Sequence, residues 1–167
     1  GGLGYRAWSS QEDAPCQGAE RQLEGIWDEE RRDAVESAML GVGAPFARPA
    51  WERAQAELST YADEWVSMHT EACRATTIRG EQSPRMLDLR MACLRRAAVD
   101  LRATVDVLAD ADARVVQKAH DLTGDLPSLS HCADTEALAA EVEPPLQAEQ
   151  DAVERIFDLL AESRTLD

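Results

Sequence analysis

Apolar side chains recur every three or four residues along most of the chain, which is the spacing of one face of an α-helix. The first run would begin near Asp13, with Pro15 in the first turn, and end at Gly41 and Gly43. Its apolar positions are Cys16, Ala19, Leu23, Ile26, Trp27, Ala34 and Ala38. The pattern predicts one continuous helix over this stretch.

Two longer runs follow, separated by a short polar turn around Gly80. The second predicted helix opens at Pro49, and the third opens at Ser83 and Pro84, an N-cap followed by a first-turn residue. The third helix keeps heptad spacing, and its apolar positions are Leu87, Met91, Leu94, Ala98, Leu101, Val105 and Leu108. We therefore expect a long antiparallel helical hairpin. Trp27, Trp51 and Trp65 all fall on apolar stripes, so we expect them in the core.

Weaker patterns complete the chain. Asp112 can cap a shorter fourth helix that ends at Gly124 and Pro127, and the stretch that follows reads as a loop with one helical turn. Helical spacing returns from Pro144 onward in a strongly acidic segment. The predicted organisation is a tail over 1–12, a bundle over 13–138 and a C-terminal helical segment over 139–167.

The composition supports the same fold class. Hydrophobic residues make up 44% of the 167 residues but aromatic residues only 5%, which favours helices over sheets. We therefore predict an all-α, mostly antiparallel bundle of four long helices plus a C-terminal helix, held by disulfides. The formal net charge of −15 disfavours nucleic acid as a partner. No apolar window reaches the length of a membrane span and no signal peptide opens the chain, so we expect this stretch to be soluble.

Catalytic motifs are missing from the sequence. His69, His120 and His131 have no readable triad partners, and the GVGAP run from Gly41 to Pro45 follows no predicted strand. The glycine-rich loop and the catalytic-loop motif of protein kinases are also missing. We therefore predict a non-enzymatic chain that takes no cofactor and does not bind ATP.

Four cysteines, Cys16, Cys73, Cys93 and Cys132, are predicted to lie toward one end of the bundle. Cys73 and Cys93 are neighbours across the turn at Gly80, and helix geometry places them at heights that differ by about 6 Å. We therefore expect Cys73 to pair with Cys93 and Cys16 to pair with Cys132. Two disulfides would indicate an oxidising compartment.

Two other states of the cysteines stay open at this point. All four could be buried free thiols in a cytosolic bundle. Alternatively, His69 and His131 could join Cys73 and Cys132 in a metal site, although the chain has no closely spaced cysteine pair of the zinc-module type.

The turn between the second and third helices is a candidate ligand site, because it gathers polar side chains beside the predicted disulfides. The residues predicted to bind a ligand are Arg79, Gln82, Ser83 and Arg90. A purely structural interpretation stands beside this one. In it, Ser83 only caps the third helix and Arg90 pairs with Asp88 or another nearby acid.

Four runs of sequence carry a resemblance: CQGAERQLEGIWDEERRDAV, PFARPAWERAQAELSTYADEWVSMHTEAC, RGEQSPRMLDLRMACLRRAAVDLRATVDVL and LPSLSHCAD. Together they cover about residues 16–138 and resemble the region that follows the membrane helix in bacterial transmembrane serine/threonine protein kinases of the myxobacterial type. In that family a cytoplasmic kinase domain precedes one membrane span, and tetratricopeptide repeats follow this region. The resemblance implies that GGLGYRAW leaves the membrane and that 143–167 approaches the first repeat.

The function expected from this resemblance is that of a sensor domain on the periplasmic side of the inner membrane, in a membrane-anchored parent kinase. Its partner would be a small ligand or a protein, and the sequence leaves open whether the chain forms a homodimer. Two alternatives are a structural stalk that presents the downstream repeats and a cytosolic metal- or cofactor-binding bundle.

Overall fold

The computed structural model describes residues 14–141 and 147–165. Helices account for 81% of these residues, and none of them forms a strand. The predicted all-α class is therefore confirmed. The predicted tail over 1–12 lies outside the described residues.

Seven α-helices and three short 3₁₀ helices make up the described chain. The α-helices are α1 (Glu29–Gly41), α2 (Ala47–Thr77), α3 (Pro84–Ala109), α4 (Ala113–Gln117), α5 (Ala119–Gly124), α6 (Thr135–Glu141) and α7 (Gln147–Thr165). The 3₁₀ helices are Ala14–Cys16, Ala19–Leu23 and Leu129–Ala133. The long helices α2 and α3 pack against each other, and α1 packs against both.

Short polar side chains start four of these helices, and one of the four is Asp134, which caps α6 by accepting from the Ala137 N–H at 3.0 Å. The Ser83 hydroxyl accepts a hydrogen bond from the Met86 backbone N–H at 3.1 Å, and the Asp112 carboxylate accepts one from Val115 at 2.9 Å. Both caps were predicted from the sequence, and both are confirmed. Asp28 caps α1 in the same way. A capped first turn satisfies backbone N–H groups that have no partner within the helix.

The first predicted helix is wrong over its first half. Residues 14–28 form two 3₁₀ helices and a turn, and α1 begins only at Glu29. Gly18 and Gly25 adopt positive φ angles of 87° and 75°, which interrupt a right-handed helix. The Asp28 carboxylate also accepts a hydrogen bond from the Gly25 N–H at 2.6 Å, which closes the turn. The expected start at Asp13 lies outside the described residues.

The fourth predicted helix is broken in two. Lys118, with φ −98° and ψ 5°, separates α4 from α5, so the bundle has two long helices and several shorter ones in place of four long ones. The expected loop after Pro127 is more ordered than predicted, because it contains both the 3₁₀ helix Leu129–Ala133 and α6.

The three tryptophans expected in the core are there. Trp27, Trp51 and Trp65 are 5%, 4% and 1% exposed. The indole N–H of Trp65 donates to the Leu94 carbonyl at 2.8 Å, which joins α2 to α3 at mid-core. The largest fully buried side chains around them are Val35, Met39, Leu58, Leu94, Leu101, Val105, Leu108, Val116 and Leu138.

Helix α7 differs from the rest of the described chain. Its large apolar side chains are all exposed, and they are Val153, Ile156, Phe157, Leu159 and Leu160. The buried core therefore lies between Cys16 and Leu138. Within the two described ranges, no helix is both long enough and apolar enough to cross a membrane.

Candidate functional site

All four cysteines are oxidised, as predicted, but the predicted pairing is wrong. Cys16 is bonded to Cys73 and Cys93 to Cys132, with Cα–Cα distances of 5.6 and 5.5 Å. The prediction compared heights along the bundle, and height does not say which way a side chain points around its helix. The 3₁₀ helix Ala14–Cys16 packs on α2, whereas Leu129–Ala133 contacts α3.

The alternative metal site does not form. Both sulfur atoms that it needs, those of Cys73 and Cys132, are bonded to other cysteines. The His69 ring hydrogen-bonds to Gln22, and the His131 ring to Glu141. Across residues 14–141 and 147–165, no group of three histidine, cysteine, aspartate or glutamate side chains could hold a metal ion. The interpretation as free thiols is excluded in the same way.

The main candidate site is an open groove of about 800 Å³ between α2 and the chain from Leu126 to Ala133. This volume lies within the range of small-molecule sites. The groove is lined by Thr60, Tyr61, Asp63, Glu64, Ser67, Met68, Glu71, Arg90, Thr123, Leu126, Pro127, Ser128, Leu129, Ser130 and Ala133. The side chains from α2 are spaced three, four and seven residues apart, so they share one face of that helix.

Two tethers hold the far wall of the groove. The Tyr61 hydroxyl donates a hydrogen bond to the Pro127 carbonyl at 2.8 Å, and the disulfide at Cys132 ties the wall to α3. Burial of the Tyr61 ring, together with the charges of Asp100 and Glu64, raises its pKa to about 12. The hydroxyl therefore stays protonated and keeps donating at any physiological pH.

Arg90 lies at the floor of the groove and is only 6% exposed. Its Nε donates to the Cys132 carbonyl at 3.0 Å, and Nη1 donates to the Gln82 side-chain oxygen at 3.1 Å. Gln82 in turn donates to the Ala72 carbonyl at 3.0 Å. The expected ion pair with Asp88 or another acid is wrong, because Arg90 makes no salt bridge with any residue that the structure describes.

The charge of Arg90 is costly to bury. Desolvation lowers the pKa of its guanidinium, and the charge of Glu71 opposes that shift. Arginine nevertheless stays protonated in proteins, so a full positive charge remains beneath the groove without a carboxylate partner. Buried charges are ordinarily paired, and an unpaired one is therefore a candidate for ligand binding.

The four predicted ligand residues share one depression. Arg79, Gln82, Ser83 and Arg90 line a second hollow of about 460 Å³, which meets the groove at Glu71 and Arg90. Their polar groups are used differently, however. Arg79 pairs with Glu71 and Glu81 at the surface, and Ser83 caps α3 as the structural interpretation expected. Arg90 is therefore the best candidate among the four for binding a ligand.

Sequence reasoning missed the acidic side of the groove, which Asp63, Glu64 and Glu71 line and beside which Glu57 bonds to Thr123. Glu57, Glu64 and Glu71 are spaced seven residues apart on α2, which puts them on one face of that helix. The seven-residue spacing can be seen in the sequence. It was overlooked because acidic residues are frequent along the whole chain.

The three glutamates differ in their partners. Glu57 accepts hydrogen bonds from the Arg53 Nε at 3.0 Å and from the Thr123 hydroxyl, and it lies 3.1 Å from His120 Nδ1. Partial burial raises the pKa of Glu57, but the hydrogen bonds from Thr123 and Arg53 outweigh that effect and leave it below its ordinary value. Glu71 is paired with Arg79. Glu64 has no cationic partner in the described part of the chain.

The chain matches no protein-family model, no curated protein and no solved structure.

Proposed function

We propose that this chain is a non-catalytic, ligand-binding sensor domain. The observation that carries the proposal is the groove beside α2, whose floor holds the buried and unpaired charge of Arg90. Polar groups that converge on a hollow from well-anchored elements are what a small-ligand site requires. No catalytic residue is assigned to the groove.

We also propose an extracytoplasmic location. Two disulfides are compatible with an oxidising compartment such as the periplasm, and thiols in the cytoplasm are ordinarily kept reduced. The resemblance of residues 16–138 to the region after the membrane helix of bacterial serine/threonine kinases supports the same side of the membrane. Within this proposal, the parent chain is a membrane-anchored kinase and this domain lies on its periplasmic side.

A ligand in the groove would touch two walls that the hydrogen bond from Tyr61 to the Pro127 carbonyl also joins directly. One wall is α2, and the other is the segment that Cys132 ties to α3. A ligand that fits one arrangement of these walls better than another shifts the population toward that arrangement. The position of α2 relative to α3 is therefore the quantity that we propose the ligand controls.

The test is a screen for compounds that raise the melting temperature of the oxidised protein, carried out with a matched pair of variants. Ser67 is an exposed residue of the groove, so Ser67→Trp should fill the hollow without entering the core. Gln55→Trp places the same side chain on an exposed position of α2 outside the groove. We expect stabilising compounds to lose their effect with Ser67→Trp and to keep it with Gln55→Trp.

The alternative function is a structural stalk, and the exposed apolar face of α7 favours it, since such a face suits packing against a following element. A stalk has no ligand of its own. If no compound stabilises the wild-type protein, or if the two tryptophan variants respond alike, the stalk is the better account.

A further inference from the structure

We infer that the groove binds a short zwitterionic peptide of two or three apolar residues, with its terminal carboxylate on Arg90 and its terminal ammonium on Glu64. This inference rests on the proposed sensor function, because it names the ligand class of the same groove. It follows from unpaired charges of opposite sign that line one hollow, Arg90 on one side and the carboxylates of Glu64 and Asp63 on the other, none of them in an ion pair with a described residue.

The anion-binding end is Arg90. Arg90 is only 6% exposed, and two of its three side-chain nitrogens donate to neutral oxygens of Cys132 and Gln82. These two bonds fix the plane of the guanidinium. The third nitrogen, Nη2, has no hydrogen-bond partner among the described residues. A carboxylate arriving from the groove would meet a donor whose orientation is already set.

The cation-binding end is Glu64, the middle member of the heptad-spaced glutamates. Its neighbours on either side along the helix are already engaged, Glu57 by Arg53 and Glu71 by Arg79. The Glu64 carboxylate is exposed at the groove. Its negative charge contributes to the raised pKa of the Tyr61 hydroxyl. Glu64 and its neighbour Asp63 are therefore the groove carboxylates of α2 without a cationic partner in the described chain, and Glu64 is the one that shares the heptad spacing of Glu71.

The spacing of the two ends sets the length of the ligand. Gln82 links Arg90 to the Ala72 carbonyl, so Arg90 lies near the level of Glu71 on α2. Glu64 is seven residues earlier, which corresponds to about 10 Å along the helix axis. An extended peptide advances about 3.5 Å per residue, so two or three residues, with a hydrogen bond at each end, span this distance.

The rest of the groove lining mixes apolar side chains with the hydroxyls of Ser67, Ser128 and Ser130. The apolar side chains include Met68, Leu126, Pro127 and Leu129, and the hollow of about 800 Å³ has room for several side chains. A simple anion would be repelled by Glu64 and Asp63, and a simple amine would leave Arg90 unpaired. The groove therefore discriminates against ligands that carry one charge.

The experiment measures binding of four probes to the oxidised protein by calorimetry. The probes are leucylleucine, its N-acetyl derivative, its C-terminal amide and free leucine. The acetyl group removes the ammonium charge, the amide removes the carboxylate charge, and free leucine keeps both charges but is too short. We expect leucylleucine to bind, and each of the other three to bind at least about tenfold more weakly, as expected when a charged hydrogen bond is lost.

Matched variants assign each end of the peptide. Glu64→Gln should weaken leucylleucine about tenfold but leave the N-acetyl derivative unchanged, and Glu52→Gln, an exposed acid of α2 outside the groove, is its control. Arg90→Gln should weaken leucylleucine similarly and leave the amide unchanged, with Arg102→Gln of α3 as its control. If Arg90→Gln fails to fold, the Glu64 pair still decides the question, because Glu64 is at the surface.

The outcomes separate this inference from the proposed function. If the N-acetyl derivative or the amide binds as well as leucylleucine, or if Glu64→Gln has no effect, the zwitterion inference is overturned and the sensor function stands. If leucylleucine does not bind while other compounds stabilise the protein through the groove, the inference again fails alone. If no compound binds in the groove, both the zwitterion inference and the proposed sensor function are overturned.

Discussion

The two disulfides of this domain contribute similarly to the free energy of unfolding, but they join different parts of the structure. Cys16–Cys73 spans 57 residues and Cys93–Cys132 spans 39, so each contributes on the order of 4 kcal/mol in the chain-entropy account. The first fastens an N-terminal 3₁₀ helix to α2. The second fastens one wall of the groove to α3 and fixes the carbonyl that accepts from Arg90.

The two disulfides are therefore expected to contribute similarly to the free energy of unfolding but differently to ligand binding. The surroundings of the first disulfide are local contacts between the N-terminal segment and α2, such as the hydrogen bond from Gln22 to His69. The surroundings of the second include the buried charge that the proposed ligand needs. Removing each disulfide in turn should therefore separate stability from binding.

The largest effect is expected from the double variant Cys93→Ala with Cys132→Ala. Removing this disulfide should lower the free energy of unfolding by about 4 kcal/mol. It should also weaken leucylleucine binding about tenfold or more, because the backbone carbonyl of residue 132, to which Arg90 donates, is no longer held by the disulfide. Denaturant unfolding and calorimetry measure the two quantities, and unchanged binding would show that the groove does not depend on this tether.

The double variant Cys16→Ala with Cys73→Ala is the matched comparison. It should lose a similar amount of unfolding free energy, about 4 kcal/mol. Peptide binding should be unchanged as long as the protein is folded, because neither cysteine lines the groove or accepts a hydrogen bond from Arg90. Equal losses of binding in the two double variants would mean that the contrast between the disulfides is wrong.

A smaller effect is expected from Ser83→Ala, which tests whether this residue caps a helix or binds a ligand. Loss of the bond from the Met86 N–H should cost about 1 kcal/mol of unfolding free energy. Peptide affinity should not change. Ser37→Ala serves as the control, since Ser37 is exposed within α1 and lies outside the groove, and a fall in affinity with Ser83→Ala would return Ser83 to the ligand site.

The smallest effect concerns pH and the N-terminal segment. Burial lowers the pKa of His69 below its ordinary value of 6.5, so the folded protein favours the neutral ring. The unfolded chain then takes up a proton first as pH falls through 6.5, and stability should decrease below that pH. His69→Asn should flatten this part of the stability profile between pH 7 and 5.5, whereas an unchanged profile would exclude His69 as the source.

Much of the fold could be predicted from local signals in the sequence. The caps at Ser83 and Asp112 and the apolar stripes of α2 and α3 depend on neighbours within a few residues. The break at 14–28 was missed because helical spacing of apolar residues also suits a segment that wraps over the core. Gly18 and Gly25, both at positive φ, were the signal that outweighed the spacing.

The candidate site could be predicted less fully. The sequence named Arg90 as one of a group of polar residues beside the predicted disulfides, but its burial and its acceptors, the Cys132 carbonyl and Gln82, depend on tertiary packing. The cysteine pairing was wrong for the same reason, since it depends on how each helix is rotated about its axis. Glu64 was missed because two properties mark it, its place in the groove and its lack of a cationic partner among the described residues, and both depend on tertiary structure.

A crystal structure of the oxidised protein with leucylleucine tests the central claim most directly. The account predicts the peptide in the groove between α2 and the chain from Leu126 to Ala133, with a carboxylate oxygen within hydrogen-bond distance of Arg90 Nη2 and the amino group against Glu64. A groove left empty at saturating peptide, or a peptide bound in the reverse orientation, would contradict it.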